Sequence, residues 1–192
     1  MRYIISIAVL IIGLAIILIL KKVNKISKAK AITYTSILLL VVAMPIDDFF
    51  MKFSTPEAYM KYYYLYTKPK QIIYGKDSCL VRATDDTGKK INIYLRSENG
   101  IYRMHYGWQS ETIKRTDFGI DGMVETVRVK GTNDYYLLVY LIHMESPAKV
   151  ILDDGYELPL EASSSSSYFG QMYLEDYKEG RYVFINGYKA MI

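Results

Sequence analysis

Two long uncharged stretches near the N-terminus constrain this chain more than any other feature of its sequence. Residues 3–20 and 31–46 contain no Asp, Glu, Lys or Arg, although 23% of the whole chain is charged. The first stretch is rich in Ile and Leu, and as a helix it would be roughly 27 Å long, close to the roughly 30 Å of a bilayer core. We therefore predict a transmembrane helical hairpin over residues 1–51.

Each stretch also has an alternative interpretation. A cleavable signal peptide typically has an apolar core of about 7 to 15 residues and a small-residue cleavage site, whereas Lys21 and Lys22 directly follow residues 3–20. The second stretch is shorter and could be an interfacial or core helix. Its flanking lysines and the aromatic pair Phe49 and Phe50 favour a span, because such residues extend the effective length of a helix at the interface.

The segment between the two stretches, residues 21–30, is rich in lysine and contains no acidic residue. A short loop with such an excess of positive charge stays on the cytoplasmic side of a membrane. The sequence therefore predicts a multi-pass protein of the cell membrane with an exoplasmic C-terminal domain. Asp47 and Asp48 are interpreted as the exoplasmic flank of the second helix, in preference to a transport pathway. The topology signal consists of five lysines: Lys21, Lys22, Lys25, Lys28 and Lys30.

The formal net charge of +4 does not indicate a nucleic-acid partner. The excess of positive charge lies in residues 1–51, and residues 52–192 are formally neutral, whereas phosphate backbones are bound by clustered basic residues. The single cysteine, Cys79, lies in an apolar run and is predicted to be a buried small hydrophobe. No nucleic acid and no disulfide is expected.

A short helix is predicted after Ser54-Thr55-Pro56-Glu57, which combines an N-cap hydroxyl, a first-turn proline and an acidic residue. Its tyrosines recur at helical spacing, so that they form one face. We expect this face to pack on a sheet, and contact with lipid headgroups is the alternative. The candidate interface aromatics are these tyrosines together with the only tryptophan: Tyr59, Tyr62, Tyr63, Tyr66 and Trp108.

The rest of the chain reads as short β-branched and aromatic runs separated by turn residues, the pattern of antiparallel sheets. A boundary near residue 120 divides it into a small α+β meander, residues 52–120, and an immunoglobulin-like β-sandwich, residues 121–192. The serine run 163–167 is predicted to be an exposed loop. The predicted strands are residues 71–74, 79–84, 91–96, 102–106, 124–130, 135–144, 149–152, 168–174, 182–185 and 188–191.

A two-helix anchor is thus followed by the helix start Ser54-Thr55-Pro56-Glu57-Ala58, a meander around Glu98-Asn99-Gly100, and a β unit with Y-V-F-I-N-G-Y-K at residues 182–189. In this order the chain resembles uncharacterised membrane-anchored envelope proteins of Gram-positive bacteria. The resemblance implies a location and an architecture, and it carries over no catalytic residue.

The sequence offers no catalytic constellation. Asp86-Thr87-Gly88 matches the aspartic-protease tripeptide, but flanking charges favour a hairpin turn. The two histidines, His105 and His143, have no partner at metal-ligand spacing. We expect no enzyme, metal or cofactor. An envelope hydrolase is the alternative, and its carboxylate pair would come from four scattered acids: Glu111, Asp117, Asp121 and Glu125.

The predicted function is therefore that of a membrane-anchored cell-envelope protein with an exoplasmic binding domain. Its expected partners are the lipid bilayer and either another membrane protein or a cell-wall polymer. The chain contains 20 tyrosines, and exposed tyrosine provides an amphipathic contact surface. Besides the hydrolase, an accessory subunit of a membrane complex or transporter is an alternative.

Overall fold

The computed structural model describes residues 4–43, 51–103, 109–118, 122–144, 148–164 and 166–192, which form three helices and three antiparallel sheets. The helices are α1 (Ile4–Lys22), α2 (Lys28–Ala43) and α3 (Pro56–Tyr63). The strands are β1 (Lys68–Tyr74), β2 (Ser78–Thr84), β3 (Lys90–Glu98), β4 (Ile101–Tyr102), β5 (Ser110–Asp117), β6 (Gly122–Val129), β7 (Tyr135–Leu141), β8 (Val150–Leu152), β9 (Glu161–Ser164), β10 (Ser167–Leu174), β11 (Tyr182–Ile185) and β12 (Tyr188–Met191).

The first two helices form a hairpin, but the prediction that they are transmembrane is wrong. In the part of the chain that the structure describes, no helix is long and apolar enough to cross a membrane. Helix α1 has 19 residues and ends with Lys21 and Lys22, so its apolar part is shorter than the roughly 20 apolar residues that a span usually needs. The apolar part of α2 is shorter still, because this helix begins with Lys28 and Lys30. The fold class is therefore corrected to a mainly β chain with short helices.

The predicted location is corrected together with the span. A multi-pass protein of the cell membrane and an exoplasmic domain over residues 52–192 both required helices that cross the bilayer, and the described helices do not meet that requirement. The interpretation of Asp47 and Asp48 as a membrane flank falls outside the described residues. What the structure does establish is that α1 and α2 pack together, since a Cβ added at Gly13 would lie only 2.7 Å from a Leu38 methyl carbon.

Helix α3 and the first sheet form one packed unit. The Thr55 hydroxyl caps α3 by accepting a hydrogen bond of 3.2 Å from the Ala58 N–H, as the sequence predicts. The strands follow the order β1-β2-β3-β4, a meander. Tyr59 and Tyr63 of α3 are buried against one face of this sheet, together with Cys79 and Ile93. The tyrosine face of α3 therefore packs on the sheet.

The second and third sheets face each other. The second has the strand order β5-β6-β7-β10-β9 and the third the order β12-β11-β8. Without β5, this arrangement of β6 to β12 has the strand order of a seven-stranded immunoglobulin-type sandwich, in which the first, second, fifth and fourth strands lie opposite the third, sixth and seventh. Apolar residues of β7 such as Leu137 and Val139 meet Val183 and Ile192 in the core between these sheets.

The second sheet is covered on both faces. Its other face packs on the first sheet through a core that contains Leu80, Val129, Tyr136 and Leu138. The order of layers is therefore α3, first sheet, second sheet and third sheet. Strand β7 lies in the middle of the second sheet, which explains why its sequence is apolar at nearly every position.

Two features of the β region differ from the prediction. No strand was predicted over residues 110–117, where β5 pairs with β6. The serine run 163–167 was expected to be a loop, but Ser164 and Ser167 pair at the tip of the β9–β10 hairpin. The predicted domain boundary near residue 120 lies outside the described residues and stays a prediction.

Candidate functional site

Two rows of side chains, all polar except Phe169, face each other at the interface between the first and second sheets. In the first sheet, Gln71, Arg82 and Asn92 are cross-strand neighbours on β1, β2 and β3. Glu161, Phe169 and Tyr140 are cross-strand neighbours on β9, β10 and β7 of the second sheet. Residues opposite each other in neighbouring strands point to the same face, so each row lies on one face of its own sheet. Contacts of Arg82 with Glu161 and Phe169 place the two rows against each other.

Arg82 is the central residue of the first row, and its side chain is only 3% exposed. Its guanidinium carbon lies 3.9 Å from the centre of the Phe169 ring, an attractive cation–π arrangement. Its Nη1 donates a hydrogen bond of 2.7 Å to Oε2 of Glu161. The two ends of this ion pair differ sharply, because the Glu161 side chain is 60% exposed.

A cleft of about 300 Å³ opens beside Arg82. The amide of Asn92 donates a hydrogen bond of 2.8 Å to the Tyr140 hydroxyl and so ties the two sheets together at the wall of the cleft. Its lining is mixed, with charged, hydroxyl and aromatic groups: Arg82, Lys90, Asn92, Tyr140, Leu141, Ile142, Ser167, Tyr168 and Phe169. A second hollow of about 260 Å³ borders Arg82 on its other side, next to Gln71 and Glu161.

Positive charge is concentrated at the mouth of the cleft. The pKa of Lys90 is lowered by desolvation, and further by the positive charges of Arg82 and Lys70, while Glu161 acts in the opposite direction. A lowered lysine pKa means that the charged form is disfavoured. The charged groups that act on one another here are three cations, Arg82, Lys70 and Lys90, and one carboxylate, Glu161, so this part of the surface favours an anionic group.

A second polar cluster, around Asp134, has a structural role. The carboxylate accepts hydrogen bonds from the backbone N–H groups of Lys76 at 3.1 Å and Asp77 at 2.7 Å. The hydroxyls of Ser78 at 2.6 Å and Tyr173 at 3.1 Å donate to it as well. Four donors satisfy a fully buried carboxylate, so Asp134 fixes the β1–β2 turn to the second sheet.

The predicted topology lysines lie at one end of the helical hairpin. Lys21 and Lys22 end α1 and Lys28 begins α2, and Lys25 and Lys30 are exposed like the others. The outward faces of the two helices are apolar and exposed, as is Val23 just after α1. The exposed large aliphatic residues of the helices are Ile7, Ile11, Ile12, Ile16, Leu18, Ile19, Ile32, Ile37 and Leu39.

The candidate interface aromatics are not brought together on one surface. Tyr59 and Tyr63 are buried and Tyr62 is partly buried in the core between α3 and the first sheet. Tyr66 lies beyond the end of α3 and is 77% exposed. Trp108 falls outside the described residues. Only Tyr66 of this group therefore offers an exposed ring among the residues that the structure describes.

The remaining sequence candidates are dispersed. Glu111 pairs with Arg128 and Asp117 pairs with Arg115 at 2.9 Å, and these two acids lie six positions apart on β5, roughly 20 Å along a strand. Glycosidase carboxylates lie about 5 to 10 Å apart. Glu125 lies on β6 and accepts from Thr112. Asp121 falls outside the described residues.

The motifs singled out in the sequence have structural explanations. Asp86-Thr87-Gly88 is the turn between β2 and β3, as predicted, and it is held by hydrogen bonds from the Thr87 and Lys89 N–H groups to Asp85. Among the described residues, no group of three potential ligands is placed to hold a metal. His143 is exposed just after β7, and His105 lies outside the described residues.

The sequence analysis missed Arg82. A signal was present, since an arginine interrupts the apolar run Cys79-Leu80-Val81 of a buried strand, where charged residues are rare unless they are paired. Its partner Glu161 is 79 residues away, so the pair itself could not be read from local sequence.

In comparisons with known proteins, no family model matches this chain, and neither a curated protein nor a solved structure does.

Proposed function

We propose that this chain is a binding protein that attaches to a lipid bilayer through the exposed apolar faces of α1 and α2 and binds a second partner through its β layers. The observation that carries the proposal is the exposed apolar surface of the hairpin. Leu18 is 64% exposed and Ile11 is 61% exposed, and many neighbours on both helices are similar. An apolar surface this extensive marks an interaction site.

The chemistry of the hairpin favours lipid as its partner. The apolar side chains cover the outward faces of both helices, and the lysines cluster where the helices join. Lysines attract anionic headgroups, each contributing about 1 kcal/mol near such a surface, while an adjacent apolar face partitions into the acyl region. The proposed attachment requires neither helix to span the bilayer.

The proposal is tested by flotation of the full-length chain with vesicles. We expect it to float with phosphatidylcholine vesicles, and more completely when phosphatidylglycerol is added. The variant Ile12→Ser/Ile16→Ser/Ile19→Ser removes three exposed apolar side chains from one face of α1 and is expected to stay with the lipid-free fraction. Wild-type protein that does not float would overturn the proposal.

Matched controls distinguish attachment through the helical hairpin from non-specific adsorption of the protein to vesicles. The variant Leu65→Ser/Tyr66→Ser/Tyr188→Ser also removes three exposed apolar side chains, but from outside the hairpin, and it is expected to float like the wild type. Equal loss of flotation in both triple variants would contradict a specific role of α1. The variant Lys21→Gln/Lys22→Gln/Lys25→Gln is expected to lose the preference for phosphatidylglycerol.

A further inference from the structure

We propose that the cleft beside Arg82 binds an oxyanion, a phosphate or carboxylate group of the ligand, and that Glu161 competes with this ligand for the Arg82 guanidinium. The inference rests on the proposed binding role of the β layers and does not depend on attachment to lipid.

The first argument is the asymmetry of the Arg82–Glu161 pair. A buried guanidinium requires an anionic or hydrogen-bonding partner, because an unpaired buried charge is very costly. Here the cation is fixed by the sheet interface and by the Phe169 ring, whereas its partner is largely exposed. Glu161 also lies on β9, which ends the second sheet. An exposed carboxylate can turn away when another anion takes its place.

The second argument is the donor capacity of the guanidinium. Arginine presents five N–H donors in a planar fork that matches carboxylate and phosphate oxygens, usually in pairs. Glu161 is engaged through the single nitrogen Nη1. An incoming oxyanion can therefore form a two-point contact that the present partner does not make.

The third argument is the surrounding charge. Lys90 lines the cleft next to Arg82; desolvation lowers the pKa of Lys90, and repulsion by the positive charges of Arg82 and Lys70 lowers it further. An anion in the cleft relieves this repulsion. The hydroxyl-bearing residues Ser167 and Tyr168 also line the cleft, and a hydroxyl can donate a further hydrogen bond to an oxyanion.

The test is a titration of the full-length protein in detergent micelles, followed by backbone amide NMR shifts. One arm uses inorganic phosphate and glycerol phosphate, and the other uses acetate and glucuronate, so that the two oxyanion sources are distinguished. We expect saturable shifts on the β2 and β3 strands in at least one arm. Absence of saturable binding in both arms, for the wild type and for Glu161→Gln, overturns the inference.

Three variants are each expected to change the affinity for the oxyanion in a stated direction. Glu161→Gln removes the competing charge while keeping the shape, and it is expected to tighten binding roughly threefold to tenfold. Arg82→Met is expected to abolish binding. Lys90 is exposed, so Lys90→Met is expected to fold and serves as the test if Arg82→Met does not fold. Lys90→Met is expected to weaken binding roughly threefold to fivefold.

The control is Lys178→Met, which removes an exposed lysine away from the cleft and is expected to leave binding unchanged. Tighter binding in Glu161→Gln together with weaker binding in Lys90→Met supports the inference. An affinity for the anion that is the same in both variants as in the wild type overturns the inference, whichever anion is used. If the protein floats with vesicles but binds no anion, only this inference is overturned. If it binds the anion but does not float, only the proposed attachment to lipid is overturned.

Discussion

Oδ2 of Asp134 accepts a hydrogen bond of 2.7 Å from the backbone N–H of Asp77, although the two residues are 57 positions apart in the chain. The carboxylate lies between β6 and β7, and the amide lies in the turn between β1 and β2. This contact connects the first sheet to the second, and the Tyr173 hydroxyl of β10 adds a donor from the second sheet itself. The four donors around Asp134 therefore act as a clamp between two layers.

We predict that Asp134→Ala lowers the free energy of unfolding by about 3 kcal/mol, because it leaves buried donors without their charged acceptor. Urea unfolding followed by circular dichroism measures this change. The control Glu175→Gln alters an exposed acidic residue near the same end of β10 and is expected to change stability by less than about 0.5 kcal/mol. Similar unfolding midpoints for the wild type and Asp134→Ala would contradict the clamp.

Cys79 is predicted to be unreactive in the folded protein. Its side chain is fully buried, and burial raises the pKa of its thiol to about 12. The thiolate is the nucleophile, so alkylation at neutral pH is expected to be very slow until urea unfolds the chain. A Lys178→Cys variant supplies an exposed thiol as the reactive control. Rapid modification of Cys79 in the native wild type would show that this sheet opens easily.

Asp153 is predicted to contribute stability that depends on pH. Its hydrogen bonds with Arg181 lower the pKa of the carboxyl group in the folded state, and its side chain is only 21% exposed. The contribution is therefore present above the unfolded pKa of about 3.9 and is lost as pH falls through the lower folded value. We expect Asp153→Asn to cost about 1 kcal/mol at neutral pH and nothing in strong acid.

Unfolding curves at neutral and acidic pH measure this convergence. The matched control is Asp117→Asn, which breaks another aspartate–arginine pair whose side chains are both more than half exposed. Exposed pairs contribute little, so this variant should resemble the wild type at every pH. A constant difference between Asp153→Asn and the wild type across the whole range would rule out the linkage.

Alkaline pH is predicted to destabilise the fold through its buried tyrosines. Desolvation is the main cause that raises the pKa of Tyr136, and the charge of Asp134 adds to it. A raised folded pKa means that stability is intact below the unfolded value of about 10 and is lost as pH rises further. Tyr136→Phe should therefore show a shallower alkaline loss than the wild type in urea titrations, while the exposed control Tyr188→Phe should follow the wild type.

Much of the strand content was predictable because it depends on local pattern. Strands β11 and β12 were predicted with their observed bounds, since each is a short β-branched or aromatic run next to a turn at Asn186 and Gly187. Strand β5 was missed because its sequence is polar, and a polar sequence is tolerated at the edge of a sheet, where side chains remain in water. The pairing of Ser164 with Ser167 was missed because the serine run shows no alternation of apolar and polar residues.

The candidate site could not be predicted from the sequence, because alternation of polar and apolar residues in a strand does not show what covers the polar face. In β3, Ile93 and Leu95 alternate with Asn92 and Tyr94, a pattern typical of one buried and one solvent-exposed face, and Ile93 and Leu95 are indeed buried. In the structure the face that carries Asn92 and Tyr94 packs on the second sheet. An alternation with a period of two residues identifies the two faces of a strand. Only the tertiary arrangement decides whether the polar face is exposed to water or packs on another sheet.

The position of Ile192 and Ala190 inside the core of the third and second sheets has a consequence for synthesis. A ribosome adds roughly 5 to 20 residues per second and delivers the chain from its N-terminal side. Leu137 and Val139 emerge well before the strands that shield them, so the nascent chain carries an uncovered apolar strand until β11 and β12 follow. A delay after Leu137 and Val139 have left the ribosome and before β11 and β12 have emerged is therefore expected to promote aggregation.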